Sequence, residues 1–222
     1  MSNSPIRIVA VSDTHGYHRK LDIPDGDIFI HAGDVTMEGE LDVAADFAKW
    51  VRELPHAHKI IVPGNHDFCY DISSIRYQER AAQLLDLPRT HFLIDAARTL
   101  EVREQKIRLY GAPWVANLKG WAFWDRNRDR FESAPRDIDL LVTHGPPYGI
   151  RDAAQFNDAI HYGSKHLVRY IQRCYGLKLH IFGHVHEGAG QEQVGEITFV
   201  NACTCTREYK PTNPPVVLDW QG

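Results

Sequence analysis

Short runs of Ile, Val, Leu and Phe recur along the chain, and each closes on glycine, aspartate, asparagine or histidine. The runs Ile6 to Val11, Ile28 to Ile30, Ile60 to Val62, Ile138 to Val142 and Leu179 to Phe182 are almost wholly apolar, the pattern of strands covered on both faces. Between them the spacing becomes helical. From Glu40 to Leu54 the residues Val43, Phe47, Trp50, Val51 and Leu54 share one face, and Pro55 ends the segment. Ser164 is suited to an N-cap, with an apolar stripe of Leu167, Val168, Ile171, Cys174 and Tyr175 before Gly176 stops the helix. Ile72 to Leu87 reads as a third helix, and Thr99 to Leu109 alternates as a hairpin turning at Glu104-Gln105. Ile197 to Val200 and Val216 to Leu218 supply late strands. Strands alternating with helices imply an α/β protein, whose ligand site lies beyond the carboxyl ends of the strands. No repeat, low-complexity tract or linker divides the chain, so one domain spanning 1–222 is expected.

The polar residues at those strand ends change the picture. Asp13-Thr14-His15, Gly33-Asp34, Gly64-Asn65-His66-Asp67, His144-Gly145-Pro146-Pro147 and Gly183-His184-Val185-His186 each follow one of the apolar runs. Alone, an Asp-x-His or a Gly-Asp is equally a surface turn. Asn65 is a weak ligand in isolation but a good neutral oxygen donor beside carboxylates. His184 and His186 alternate on an extended segment and so share a side, while Pro146-Pro147 would hold the His144 imidazole still. Five such fragments, in order and all at strand ends, are not explained by turn chemistry. They deliver seven metal-capable side chains (Asp13, His15, Asp34, Asn65, His144, His184 and His186) and one spare histidine, His66.

Composition narrows the classes. The chain has 222 residues, 43% of them hydrophobic, enough for one sizeable core. The formal net charge of -4 disfavours a protein that grips a nucleic-acid backbone. The four cysteines, Cys69, Cys174, Cys203 and Cys205, form no CxxC pair and read as reduced thiols, which together with the lack of any apolar stretch near the roughly 20 residues of a membrane span points to a cytoplasmic protein.

The ordered set DxH, GD, GNH[DE], H and GHxH resembles the calcineurin-like metallophosphoesterase superfamily, over Val9 to Glu187. Further stretches, among them His31-Ala-Gly-Asp34-Val-Thr36, Tyr110-Gly-Ala-Pro-Trp114, Leu141 to Gly149 and Asn213-Pro-Pro-Val-Val217, resemble its metallophosphoesterase-domain-containing group of phosphodiesterases. The resemblance implies a four-layer αββα sandwich and two divalent ions. Asp13, His15, Asp34 and His186 would hold the first ion, and Asp34, Asn65, His144 and His184 the second, with Asp34 bridging. Imidazole and oxygen ligands without thiolate suit Mn²⁺, Fe or Zn²⁺ in an open catalytic site, and Mn²⁺ is the leading expectation. Two ions about 3.5–4 Å apart would share a hydroxide and clamp the phosphate for in-line attack. By the same resemblance His66 would protonate the leaving oxygen. Asp67 is expected to orient loop groups.

One departure bears on substrate. In the protein serine/threonine phosphatase branch the bridging aspartate is followed three residues later by another aspartate and then Arg-Gly, whereas this chain reads Val35-Thr36-Met37-Glu38-Gly39. With neither that acid nor the arginine, a phosphoprotein substrate is disfavoured, a small nucleotide-like diester such as a cyclic nucleotide is favoured, and His66 has no assigned partner. A phosphomonoesterase, a nucleotide pyrophosphatase and a non-catalytic scaffold are the alternatives. Trp114, Tyr148 and Asn65 are the candidate substrate contacts, the two rings as stacking surfaces; Trp121, Phe123 and Trp124 suit core or lid equally well. His31 is the expected outer-shell residue.

Overall fold

The computed structural model describes residues 4–126, 130–154 and 157–220. Its strands and helices run β1 (Ile6–Val11), β2 (Ile28–Ala32), α1 (Leu41–Glu53), β3 (His58–Val62), α2 (Glu79–Gln83), β4 (Thr90–Phe92), β5 (Ala96–Val102), β6 (Gln105–Ala112), β7 (Leu140–Thr143), β8 (Ala153–Ala154), β9 (Asn157–His161), α3 (Lys165–Ile171), β10 (Leu179–Phe182), β11 (Gly190–Val194), β12 (Ile197–Asn201) and β13 (Val216–Trp220). One sheet has the order β13-β1-β2-β3-β4 and the other β11-β12-β10-β7-β6-β5, while β8 and β9 pair apart. Each sheet is parallel at its centre and antiparallel at an edge: β1 to β4 run together with β13 opposed, and β6, β7, β10 and β12 run together with β5 and β11 opposed.

The runs that looked apolar on both faces are buried on both faces. Ile8, Ile28, Ile30 and Ile60 of the first sheet meet Leu109, Leu140, Val142 and Ile181 of the second in a shared core. The alternate residues Val9, Val11, Phe29 and Ile61 face outward onto Phe47, Trp50 and Val51 of α1, and Leu141 and Phe182 face outward onto Leu167 and Ile171 of α3. The result is the expected α/β sandwich of four layers, helix, sheet, sheet and helix. Each fully buried Ile, Leu or Phe contributes about 1.5–3 kcal/mol, so the sheets are held rigidly enough to aim the loops at their ends.

Three expected elements differ. Ile72 to Leu87 is helical only over Glu79–Gln83. Asp71 ties the preceding turn instead, accepting from Ser73 N (2.9 Å), Ser73 Oγ (2.8 Å) and Phe123 N (3.0 Å), and this local competition defeats the helix. The β5–β6 hairpin turns at Arg103-Glu104, one residue earlier than expected, with φ of 49° and 68°. Both central residues are left-handed as a tight two-residue turn requires, without the Asn-Gly that normally advertises one. The helix capped by Ser164, whose Oγ accepts from Leu167 N at 3.2 Å, ends at Ile171, and Tyr175 is exposed.

Candidate metal centre

Because β1, β2 and β3 are parallel and so are β7 and β10, their carboxyl ends all open on one edge of the sandwich. The chain turns sharply there. Asp13, His15, Asp34 and His184 adopt left-handed φ of 54°, 44°, 58° and 71°, conformations that non-glycine residues hold only where the surroundings enforce them. Gly64 and Gly183 are needed for a different reason. A Cβ on Gly64 would collide with the Asp34 carboxylate, and one on Gly183 with Ser12 Oγ and Asp13.

All seven expected ligands and His66 converge. Apart from Asn65, their ligand atoms form three overlapping groups, each within 4.8 Å: Asp13, His15 and His186; His15, Asp34 and His66; Asp34, His144 and His184. Asp34 faces both halves, with Oδ1 3.3 Å from His144 Nε2 and Oδ2 3.9 Å from His15 Nε2. His186 Nε2 lies 3.3 Å from Asp13 Oδ1, and Asn65 Oδ1 lies 2.9 Å from His144 Nε2.

The ring orientations show what this cluster is for. His15 Nδ1 faces Thr36 O at 3.2 Å, His144 Nδ1 faces Ala32 O at 2.9 Å, and His186 Nδ1 faces Thr206 O at 2.8 Å. A carbonyl only accepts, so each Nδ1 carries the proton and each Nε2 presents a lone pair inward. Those lone pairs then point at carboxylates, at an amide oxygen and, for His15 and His186, at one another across 3.3 Å. Acceptors crowded against acceptors need a cation or added protons between them. Divalent metal ions fit this donor set.

The electrostatics follow. Burial lowers His15 to about 4 and His184 to about 3. Burial also opposes charge on His144 and His186, but Asp34 beside the first and Asp13 beside the second override it and push both up to about 9. Asp13 and Asp34 are correspondingly held well below the usual carboxylate range, their burial being outweighed by His186 and His144 respectively. Without a metal, two protons take its place.

Around the cluster, Asp13 Oδ2 accepts from Ser12 Oγ (2.5 Å), Cys203 Sγ (3.0 Å) and His184 N (3.0 Å), so its neighbours fix it before any ligand arrives. Asp67 orients the loop as expected, accepting from Gly64 N, Val35 N, Thr36 N and Thr36 Oγ1 at 2.7–3.2 Å. Burial and the nearby Asp34 push its carboxyl up to about 6, and these four donors hold it as a carboxylate at neutral pH. His31 is buried with Nε2 2.9 Å from Thr14 Oγ1, which stands between the two expected ligands of the first loop. His180, which reads from the sequence as an ordinary structural histidine, repeats that arrangement in the second sheet, with Nε2 2.8 Å from Thr143 Oγ1 beside His144. Asn201 is buried and donates to Val185 O at 2.8 Å, bracing the His184–His186 loop.

The mouth is a cleft of about 320 Å³ lined by Asp34, Asn65, His66, His184 and His186 together with Leu118, Trp121, Tyr162, Arg207 and Tyr209. His66 finds its partner in the backbone: Nδ1 donates to Met37 O at 2.7 Å, at the position where the phosphatase branch carries its aspartate. Trp121 packs on the His66 ring at 4.4 Å, and Tyr209 stands 4.9 Å from His15 and 5.3 Å from His186. Arg207 and Tyr209 belong to a loop that no sequence signal singled out. Trp114 is placed elsewhere: its Nε1 donates to Asp95 at 2.7 Å and its ring lies under Arg130 and against Phe123. Tyr148 lines a separate cavity.

The sequence profile of the calcineurin-like phosphoesterases matches residues 6–188, which contain every residue of the cluster. The chain belongs to that family. This phosphoesterase is 34% identical over 234 residues to metallophosphoesterase domain-containing protein 1 of Homo sapiens, covering 96% of the chain and 70% of the human protein. A UPF0046 protein of Caenorhabditis elegans is 32% identical over 227 residues, covering 96% and 80%. In fold the phosphoesterase is similar to phosphopantetheinyl hydrolase of Mycobacterium tuberculosis, with a TM-score of 0.63, 15% identity and 97% of each chain covered. It is a metal-dependent phosphoric ester hydrolase, and no helix among its described residues is long and apolar enough to cross a membrane.

Proposed function

We propose that this phosphoesterase is a dinuclear phosphodiesterase acting on a small nucleotide-like diester such as a cyclic nucleotide. The observation that carries the reading is the carboxylate of Asp34, whose two oxygens face the two halves of the cluster. Asp13, His15, Asp34 and His186 would hold one divalent ion, and Asp34, Asn65, His144 and His184 the other. Manganese is the leading candidate because the ligands are imidazole and oxygen; the thiol of Cys203 touches Asp13 and joins none of the ligand groups. When bound, such a pair supplies Lewis acidity and a water of lowered pKa.

The chain's own groups do the rest. His66 Nε2 lies 4.0 Å from Asp34 Oδ2 at the edge of the cleft, with the opposite nitrogen committed to Met37 O. In its protonated form it can donate only from Nε2, into the cleft, to the departing oxygen. The Met37 carbonyl keeps that proton aimed. Trp121 and Tyr209 flank the same ring and shield it from bulk water on two sides. Asn65 Nδ2 is available to a phosphate oxygen while Oδ1 faces the cluster.

The preference for a diester is supported by the lining. Besides the histidines, Arg207 is the lone cation among the described residues at the cleft, and its Nε lies 3.7 Å from Glu187. A monoester dianion would gain little there, whereas a diester carries one charge fewer. The four free thiols, three of them buried, fit a cytoplasmic setting. Turnover of bis(p-nitrophenyl) phosphate against p-nitrophenyl phosphate with added Mn²⁺ tests the reading. Faster cleavage of the diester is expected, and an equal or reversed preference would overturn it in favour of a monoesterase.

A further inference from the structure

Beyond one wall of the cleft lies a second cavity, of about 670 Å³. Leu118 and Tyr162 line the cleft, while their chain neighbours Asn117, His161 and Gly163 line the second cavity, so the two hollows share a thin ridge. The cavity is aromatic and cationic. Tyr148 has the His161 ring 4.6 Å away and Lys165 Nζ 4.5 Å from its centre, and the Arg126 guanidinium covers Trp124 at 4.7 Å. Its carboxylate, Asp125, is engaged by Arg130 Nε at 3.4 Å. Behind the lining, the buried Asp152 accepts from His161 Nδ1 at 2.8 Å and from Gly163 N at 3.0 Å. That pair of bonds fixes the His161 ring in one tautomer, with Nε2 as its remaining polar atom.

Among the described residues Arg126 and Lys165 make no ion pair, and aromatic planes beside such positive charge are what a nucleotide requires: a flat π-surface for the base and point charges for a phosphate. Neither the metal cluster nor the protonating histidine needs these residues. We infer that this cavity is a nucleotide subsite, receiving the far arm of the diester across the Leu118–Tyr162 ridge, with its phosphate on Arg126 and Lys165 and its base among Tyr148, His161 and Trp124. The inference rests on the diesterase reading of the cleft and extends it, from a cyclic mononucleotide to a diester with a second phosphate on a nucleotidyl arm.

The test is binding of ADP to the full chain after EDTA treatment, by calorimetry. Stripped of metal, the cleft loses its grip on phosphate and the outer cavity keeps its own. Saturable one-site binding is expected, weakened roughly five- to tenfold by each of Lys165→Ala and Arg126→Ala, two exposed positions where folding is not at stake. In the Mn²⁺-loaded enzyme the same variants should raise KM for a nucleotidyl diester by a similar factor with kcat little changed. No ADP binding without metal, or equal affinity in wild type and both variants, overturns the subsite. Metal-independent ADP binding in a protein that does not cleave bis(p-nitrophenyl) phosphate would keep the subsite and remove the diesterase reading.

Discussion

Asp13, Asp34 and His144 are buried, and the groups around them leave each a single arrangement; Tyr148, Arg126 and Lys165, one ridge away, are exposed, with Lys165 leaning on Tyr148 and Arg126 on Trp124. The inner site is built by the backbone. Left-handed residues at three strand ends, glycines without room for a Cβ and ring nitrogens locked on carbonyls set positions that no rotamer change can relax. The outer site is built by side chains on loops and a short helix, and it can be retuned without disturbing the sandwich. The difference separates where the chemistry is stored from where discrimination between substrates is stored.

Breaking the inner site should therefore cost orders of magnitude. Asp34→Ala removes the group that faces both halves and should lower kcat/KM by more than the ~10²–10³-fold typical of losing one preorganised electrostatic contact. Steady-state rates with matched metal analysis would show both losses together. His66→Asn is expected to keep the metals and lower kcat by ~10²–10⁴-fold on a diester with an alkyl leaving group. On bis(p-nitrophenyl) phosphate, whose leaving group needs no proton, the loss should be far smaller, and equal losses on the two substrates would remove the protonating role.

A milder effect comes from pH. His144 and His186 carry protons up to about 9 in the metal-free protein, so each ion must displace roughly one. Metal affinity should rise by about tenfold per ion and pH unit from neutral pH until about 9 and then level off, measurable by calorimetry in buffers of different ionisation enthalpy. Stability of the metal-free protein should run the other way. These imidazoliums have pKa values raised above the ordinary histidine value, so their stabilisation is complete below about 6.5 and is lost as pH climbs through about 9.

The smallest effect concerns what surrounds the inner site. Thr143 Oγ1 donates to Gly145 O at 2.6 Å and accepts from the buried His180, which burial keeps neutral with its pKa lowered to about 3. Thr143→Val should weaken metal binding by roughly tenfold, the low end for outer-shell groups. Lys165→Ala should leave metal affinity unchanged, and a Thr143→Val variant that does the same would blur the contrast between the two sites.

The same contrast explains what could be read from the sequence. The residues of the cluster were legible because a parallel strand buried on both faces is an apolar run, and the polar residue that ends it stands out. Asp34 after Ile28 to Ile30, or His184 after Leu179 to Phe182, needs no tertiary knowledge to be noticed. The partner of His66 was not legible, because it is a backbone carbonyl, and every residue has one. Tyr209 and Arg207 were hidden for a related reason: the loop from Cys203 to Thr212 reaches the cluster through long-range bonds such as Thr204 N to Ser12 O, which leave no periodic trace. Trp114 was misplaced because a tryptophan after a strand end suits a stacking surface and a packed indole equally, and only the Asp95 contact decides. Ile72 to Leu87 failed as a helix because the carboxylate of Asp71 competes for the local backbone.

The central claim is that one buried carboxylate organises two ions. Metal analysis by mass spectrometry, on protein loaded with Mn²⁺ and freed of excess, tests it most directly. Two equivalents per chain are predicted for the wild type, about one each for His186→Ala and Asn65→Ala, and a loss of both ions for Asp34→Ala. A wild type that saturates at one equivalent, or an Asp34→Ala variant that keeps two, would contradict it.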